Sequence, residues 1–117
     1  MNIEDFRNYC LLKNGATEEF PFGPETIVFK IGGKIFALAG IENFTSFNVK
    51  CDPEEAVLLR EKYTSVLPGY HMNKKHWNTI LTDENIPLPL IFKWIDQSYS
   101  LVINSLSIKE KKILKLI

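Results

Sequence analysis

Fourteen lysines and arginines against fourteen aspartates and glutamates leave this chain of 117 residues with no net charge. Bulk attraction to nucleic acid or to an anionic membrane is therefore excluded, and any such contact must come from a local patch. The length suits one domain, residues 1–117, whose core needs no staples, and a hydrophobic share of 45% marks a globular rather than a disordered chain.

The N-terminal MNIEDF is acidic and has no apolar signal core, no apolar run approaches membrane-spanning length, and a cytoplasmic location is expected. From Asn2 to Lys13, Phe6, Tyr9, Cys10 and Lys13 fall at helical spacing, and Asn14-Gly15 supplies a stop. Glu18 to Phe22 reads as a short extended piece before the Gly23-Pro24 turn. Thr26 to Ile31 and Lys34 to Ala39 flank Gly32-Gly33, a strong hairpin signal because a two-residue turn needs positive φ. Phe44 to Cys51 alternates, with Phe47, Val49 and Cys51 on one face and Asn48 and Lys50 on the other. Cys10 and Cys51 are too few and too far apart for a disulfide framework or a zinc site, and are expected as buried, reduced thiols.

Asp52-Pro53-Glu54-Glu55 starts a helix: Asp52 caps, Pro53 suits the first helical position, and the acids favour the positive end of the dipole. That helix runs to about Tyr63 and buries Ala56, Leu59 and Tyr63. Strands are expected around Gly69 to Met72 and Trp77 to Thr82. Ile86 to Val102 reads as a long helix with Pro87 and Pro89 in its first turn and Ile91, Ile95, Tyr99 and Val102 as its core stripe. Ser107-Ile108-Lys109-Glu110 opens a C-terminal helix with a capping box. The order predicts an α+β sandwich, a curved antiparallel sheet with helices packed on one face.

Three stretches of this chain stand out: Val28 to Ala37, Pro68 to Thr79, and Ile95 to Val102. The middle one packs both histidines, Lys74, Lys75, Asn73, Asn78, Tyr70 and Trp77 into a dozen positions. In order and spacing these stretches resemble the MmcQ/YjbR family of small bacterial proteins, over nearly the whole chain. The resemblance implies a frataxin-like (CyaY-like) fold and a DNA-binding role without a defined operator. It marks Tyr70, His71, Trp77, Asn78, Ser98 and Tyr99 as family-motif positions.

Beside that resemblance the residues carry three readings of function. In the first, Lys30 and Lys34 around the Gly32-Gly33 turn and Asn73, Lys74, Lys75 and His76 in a second turn form a pair of basic wings on DNA, with Tyr70 or Trp77 offering a stacking face. The bland counterpart is two solvated turns, the aromatics packed inward and the lysines guarding a strand edge. In the second, a protein partner or a second copy docks on the sheet face or on the C-terminal helix through Leu114, Leu116 and Ile117. In the third, a small ligand or metal sits near His71 and Trp77. His71 and His76, five apart, would lie on opposite faces of a strand, Cys51 has no activating motif, and the first helix offers only Glu4 and Asp5 where a frataxin-like iron ridge is dense in acids. No catalytic residue, metal site or cofactor is therefore expected. Ser98 and Tyr99 are expected to be structural, the Tyr99 hydroxyl finding a backbone partner.

Overall fold

A computed structural model describes residues 1–69 and 72–117. The expected strand at Gly69 to Met72 and the motif positions Tyr70 and His71 fall wholly or partly outside the described residues, as does the facing of His71 against His76.

Helix α1 (Ile3–Leu11) starts at Asn2, whose side chain caps the Asp5 amide while Asp5 returns the bond to the Asn2 amide. It is followed by strands β1 (Thr17–Glu19), β2 (Thr26–Ile31), β3 (Lys34–Gly40) and β4 (Ser46–Lys50). Helix α2 (Pro53–Lys62) begins as its cap predicts, with the Asp52 carboxylate accepting from the Glu55 amide. Strands β5 (Val66–Pro68) and β6 (Trp77–Leu81) then precede α3 (Leu88–Asn104) and α4 (Ile108–Ile113). The six strands form one antiparallel sheet in the order β1-β2-β3-β4-β6-β5. Together with the helices this is the α+β architecture the element order predicts.

Helices α1, α2 and α3 lie against one face of that sheet. Phe6 and Cys10 of α1, Ala56 and Leu59 of α2, and Ile91, Trp94, Ile95 and Val102 of α3 share a core with Ile27, Phe29, Ile31, Phe47, Val49 and Ile80, while Leu114 after α4 packs on it from outside. Alternation along the strands sends Val28, Leu38 and Trp77 to the opposite face, where Ile35 and Met72 join them in a second, small cluster. No helix among the described residues is long and apolar enough to cross a membrane.

Several details differ from the sequence reading: the extended piece at Glu18 to Phe22 is the strand Thr17–Glu19, and Tyr63, expected to be buried by α2, is only half-buried. The fifth described strand is Val66–Pro68; a proline cannot donate to a ladder and is tolerated there because β5 is an edge. Helix α3 begins after Pro87, which serves as its cap, so only Pro89 lies in the first turn. Its buried stripe is Ile91, Trp94, Ile95, Ser98 and Val102, with Tyr99 half-buried at its margin. The Tyr99 ring meets Phe36 edge-on at 5.3 Å and its hydroxyl donates to the Asn14 carbonyl, the backbone partner expected of it.

Candidate nucleic-acid interface

The segment joining β5 to β6 is tied down by its own backbone. The Gly69 amide donates to the Trp77 carbonyl, the Met72 amide to the Gly69 carbonyl, and the His76 and Trp77 amides to the Asn73 carbonyl. Asn73 also accepts the Lys75 amide on its side-chain oxygen at 2.9 Å, a local bond that favours a turn. The Cys51 amide donates to the His76 carbonyl at 2.8 Å and stitches the turn to the end of β4. A side chain at Gly69 has no room: an added Cβ would meet the Trp77 Cβ at 2.8 Å and its backbone oxygen at 2.9 Å.

His76 thus belongs to a turn rather than to a strand. Trp77 is 8% exposed and packs with Leu38 and Val28, so it offers no stacking face for a base. Asn78 points the other way and is fully enclosed, its Oδ1 accepting from Arg60 Nε at 2.7 Å and its Nδ2 donating to the Ala56 carbonyl at 3.4 Å. What remains outside is Asn73, Lys74 and Lys75, all exposed.

The two basic turns stand at the same end of the sheet. Strand β4 finishes beside the start of β3, where Ala37 pairs with Val49, and beside the start of β6, where Lys50 pairs with Trp77. The lysines of the Gly32-Gly33 turn, however, do not act together. Lys30 pairs with Ile35 and Lys34 with Ile31, so the two project to opposite faces. Lys34 turns toward the helices, where its Nζ donates to the Ser105 carbonyl and hydroxyl at 3.3 and 3.2 Å. Lys30 faces the open side with its Nζ 3.5 Å from Glu19 Oε1. A wing with both lysines on one surface is therefore ruled out: the face assignment follows from the two-residue turn, whose glycines both hold positive φ.

Lys50 takes the place of Lys34. It lies on β4 opposite the core-facing Phe47 and Val49, on the same open side as Lys30 and directly across from Trp77. Lys30 and Lys50 stand two strands apart, about 10 Å at the usual strand spacing. The alternation of Phe44 to Cys51 already placed Lys50 on that side, but its partners across the sheet come only with the register. Beside Lys50 the open face carries Asn48 of β4 and, across from it on β6, Thr79, whose side chains bond at 2.5 Å.

Leu114 and Leu116 pack against the core, and only Ile117 of the proposed docking trio is exposed. The Cys51 thiol is pushed up to about 11 by burial and by the Glu55 and Asp52 carboxylates, and the Cys10 thiol is raised by burial within the core. Both cysteines are therefore thiols at neutral pH, and a thiolate nucleophile is not on offer.

Residues 11–101 match the sequence profile of the YjbR family. The chain belongs to the YjbR family. Its relatives include the uncharacterised protein YbdF of Escherichia coli O157:H7, 44% identical over 80% of this chain and 77% of that protein. The uncharacterised protein YjbR of Escherichia coli K12 is 32% identical over 97% of this chain and 98% of its own length. Among solved structures, Deinococcus radiodurans protein DR2400, a DUF419 domain, superposes with a TM-score of 0.91 at 36% identity, covering 97% of this chain and 88% of that one. A Pseudomonas syringae protein superposes with a TM-score of 0.73 at 29% identity, over 86% of this chain and 98% of that one. The YjbR fold is thus common to the chain and these neighbours.

Proposed function

We propose that this YjbR-family chain is a non-catalytic DNA-binding protein that holds a duplex through its backbone. The contact surface is the open sheet face with the Asn73–His76 turn at its end. The observation that carries this reading is a charge imbalance local to that surface. On the strands of that face Lys30 and Lys50 stand against Glu19, and the adjoining turn adds Lys74 and Lys75, with Glu54 of α2 lining the same depression as Lys75. A chain of zero net charge draws a polyanion only through such a local patch. Asn48, Asn73 and Thr79 add hydrogen-bonding groups of the kind that fix a protein on phosphates without reading sequence. Trp77 is buried and adds no aromatic platform for a single strand, so a duplex held by its phosphates is the partner tested.

Lys30 is partly spent on Glu19. Neutralising about three phosphates makes affinity fall about 40-fold between about 50 and 200 mM salt. Fluorescence anisotropy of a labelled random duplex tests this with wild type and the Lys74→Ala/Lys75→Ala double variant at both salts. Binding that weakens with salt and in the variant is the expected result. Equal affinity of the two proteins, or no binding at low salt, would refute it.

A further inference from the structure

We infer that Arg60, which no charge or motif argument singles out, is the positioning residue of this surface: it fixes the turn that presents Lys74 and Lys75. The inference rests on the DNA-binding reading for its purpose, but its geometry stands apart from it. Arg60 leaves the last turn of α2 and lies half-buried beneath the turn. Its Nε donates to Asn78 Oδ1 at 2.7 Å, and its Nη2 donates to the Lys74 carbonyl and, at 3.3 Å, to the Trp77 carbonyl. Asn78 in turn holds α2 through the Ala56 carbonyl, one helical turn before Arg60. The guanidinium is therefore locked from both α2 and β6 before it reaches the turn.

This arrangement spends the cation on carbonyl dipoles rather than on solvent. Among the described residues no carboxylate lies within salt-bridge distance of Arg60. With the Lys74 carbonyl held inward, Lys74 and Lys75 stay exposed. A loop ordered in advance loses less on binding than one that must be ordered by the ligand. The task needs a planar fork with several donors at fixed angles, and lysine, a point charge on a flexible stem, cannot span the same three acceptors.

That difference supplies the test. Arg60→Lys keeps the charge and loses the fork; Arg60→Met loses both. In the 15N-labelled full chain, amide exchange is followed at Cys51, His76 and Trp77, whose bonds close the turn, and duplex affinity is measured in parallel. Both variants are expected to exchange at these amides about tenfold faster than wild type relative to the centre of β2 and β3, and to bind a duplex about tenfold more weakly. Leu59→Ala, in the same helix but directed into the core, serves as the stability control; it is expected to speed exchange across the sheet and leave affinity near wild type well below its melting temperature. Should Arg60→Met not fold, Arg60→Lys alone carries the comparison. Unchanged turn protection in Arg60→Lys overturns the inference, as does wild-type affinity in Arg60→Lys beside loss in Arg60→Met, which would make Arg60 a simple charge. If wild type binds no duplex, the DNA-binding reading fails while the exchange measurement still decides the role of Arg60.

Discussion

Ser98 shows how much one buried hydroxyl can do. Its Oγ donates to the Phe36 carbonyl at 2.5 Å and accepts from the Lys50 amide at 2.8 Å, so it bridges β3 and β4 just beyond their last paired residues, Ala37 and Val49. The register shift between Phe29 and Lys30 leaves Phe36 without a partner on β2, and on its β4 side the hydroxyl from α3 links it to Lys50. Ser98→Ala strands a buried donor and a buried acceptor together and should cost about 1–3 kcal/mol in urea denaturation; a loss of only a few tenths would mean that water replaces the hydroxyl. The structural part expected of the Ser98-Tyr99 pair was legible from their place on a long helix. Which carbonyl Ser98 serves was not, because a bulge is set by cross-strand packing and leaves no mark in either strand's own sequence. The same scale gives a prediction for Cys51. With its thiol at about 11 and 8% of its surface exposed, native protein should resist iodoacetamide at pH 7 and react faster only as the pH climbs toward that value. Rapid labelling at pH 7 would mean that the α2 N-terminus opens.

At the scale of elements, the periphery is held by carboxylates. Glu18 of β1 accepts from Nε and Nη2 of Arg7 on α1, each at 2.6 Å, and Glu110 closes the capping box of α4 with Ser107. Both carboxyls lie below their ordinary value of 4.5, Glu18 because Arg7 bonds its charged form and Glu110 because the Ser107 amide does. A carboxyl depressed by folding contributes stability above its unfolded value and loses it as the pH falls through its folded one. The contribution of these exposed groups is small. The β1 edge and α4 should therefore loosen on acidification below about pH 4.5, before the centre of the sheet. Amide exchange across pH 3–6 checks the order, and Glu18→Gln should flatten it at β1; simultaneous loosening of all strands would contradict it. The Ser107 cap and the Asp52-Pro53 start of α2 were readable because capping is local chemistry. The bounds of β5 were not, since a three-residue edge strand ending in proline carries almost no alternation to read.

Across the whole molecule, the element order was enough to reach an α+β sandwich, because each amphipathic piece has only one kind of face to bury. The surface was harder. Lys30 and Lys34 look like one basic wing in sequence, yet a two-residue turn pairs Ile31 with Lys34 and Lys30 with Ile35 and sends them apart. That consequence was available in the Gly32-Gly33 spacing. The roles of Lys50 and Arg60 were not, because both depend on strands and helices distant in sequence meeting at the end of β4. The surface that results is one-sided, with Lys34 turned to the helices and Lys30, Lys50 and the Asn73–His76 turn left on or beside the open face.

The most direct test of that account is a titration of the 15N-labelled chain with a short random duplex at low salt, following every backbone amide. The account predicts shifts confined to residues 73–76 and to the neighbourhoods of Lys30, Lys50 and Thr79, vanishing as salt is raised, with α3 and α4 unmoved. Shifts centred on α4 or on the outer face of α2, or none at all, would contradict it.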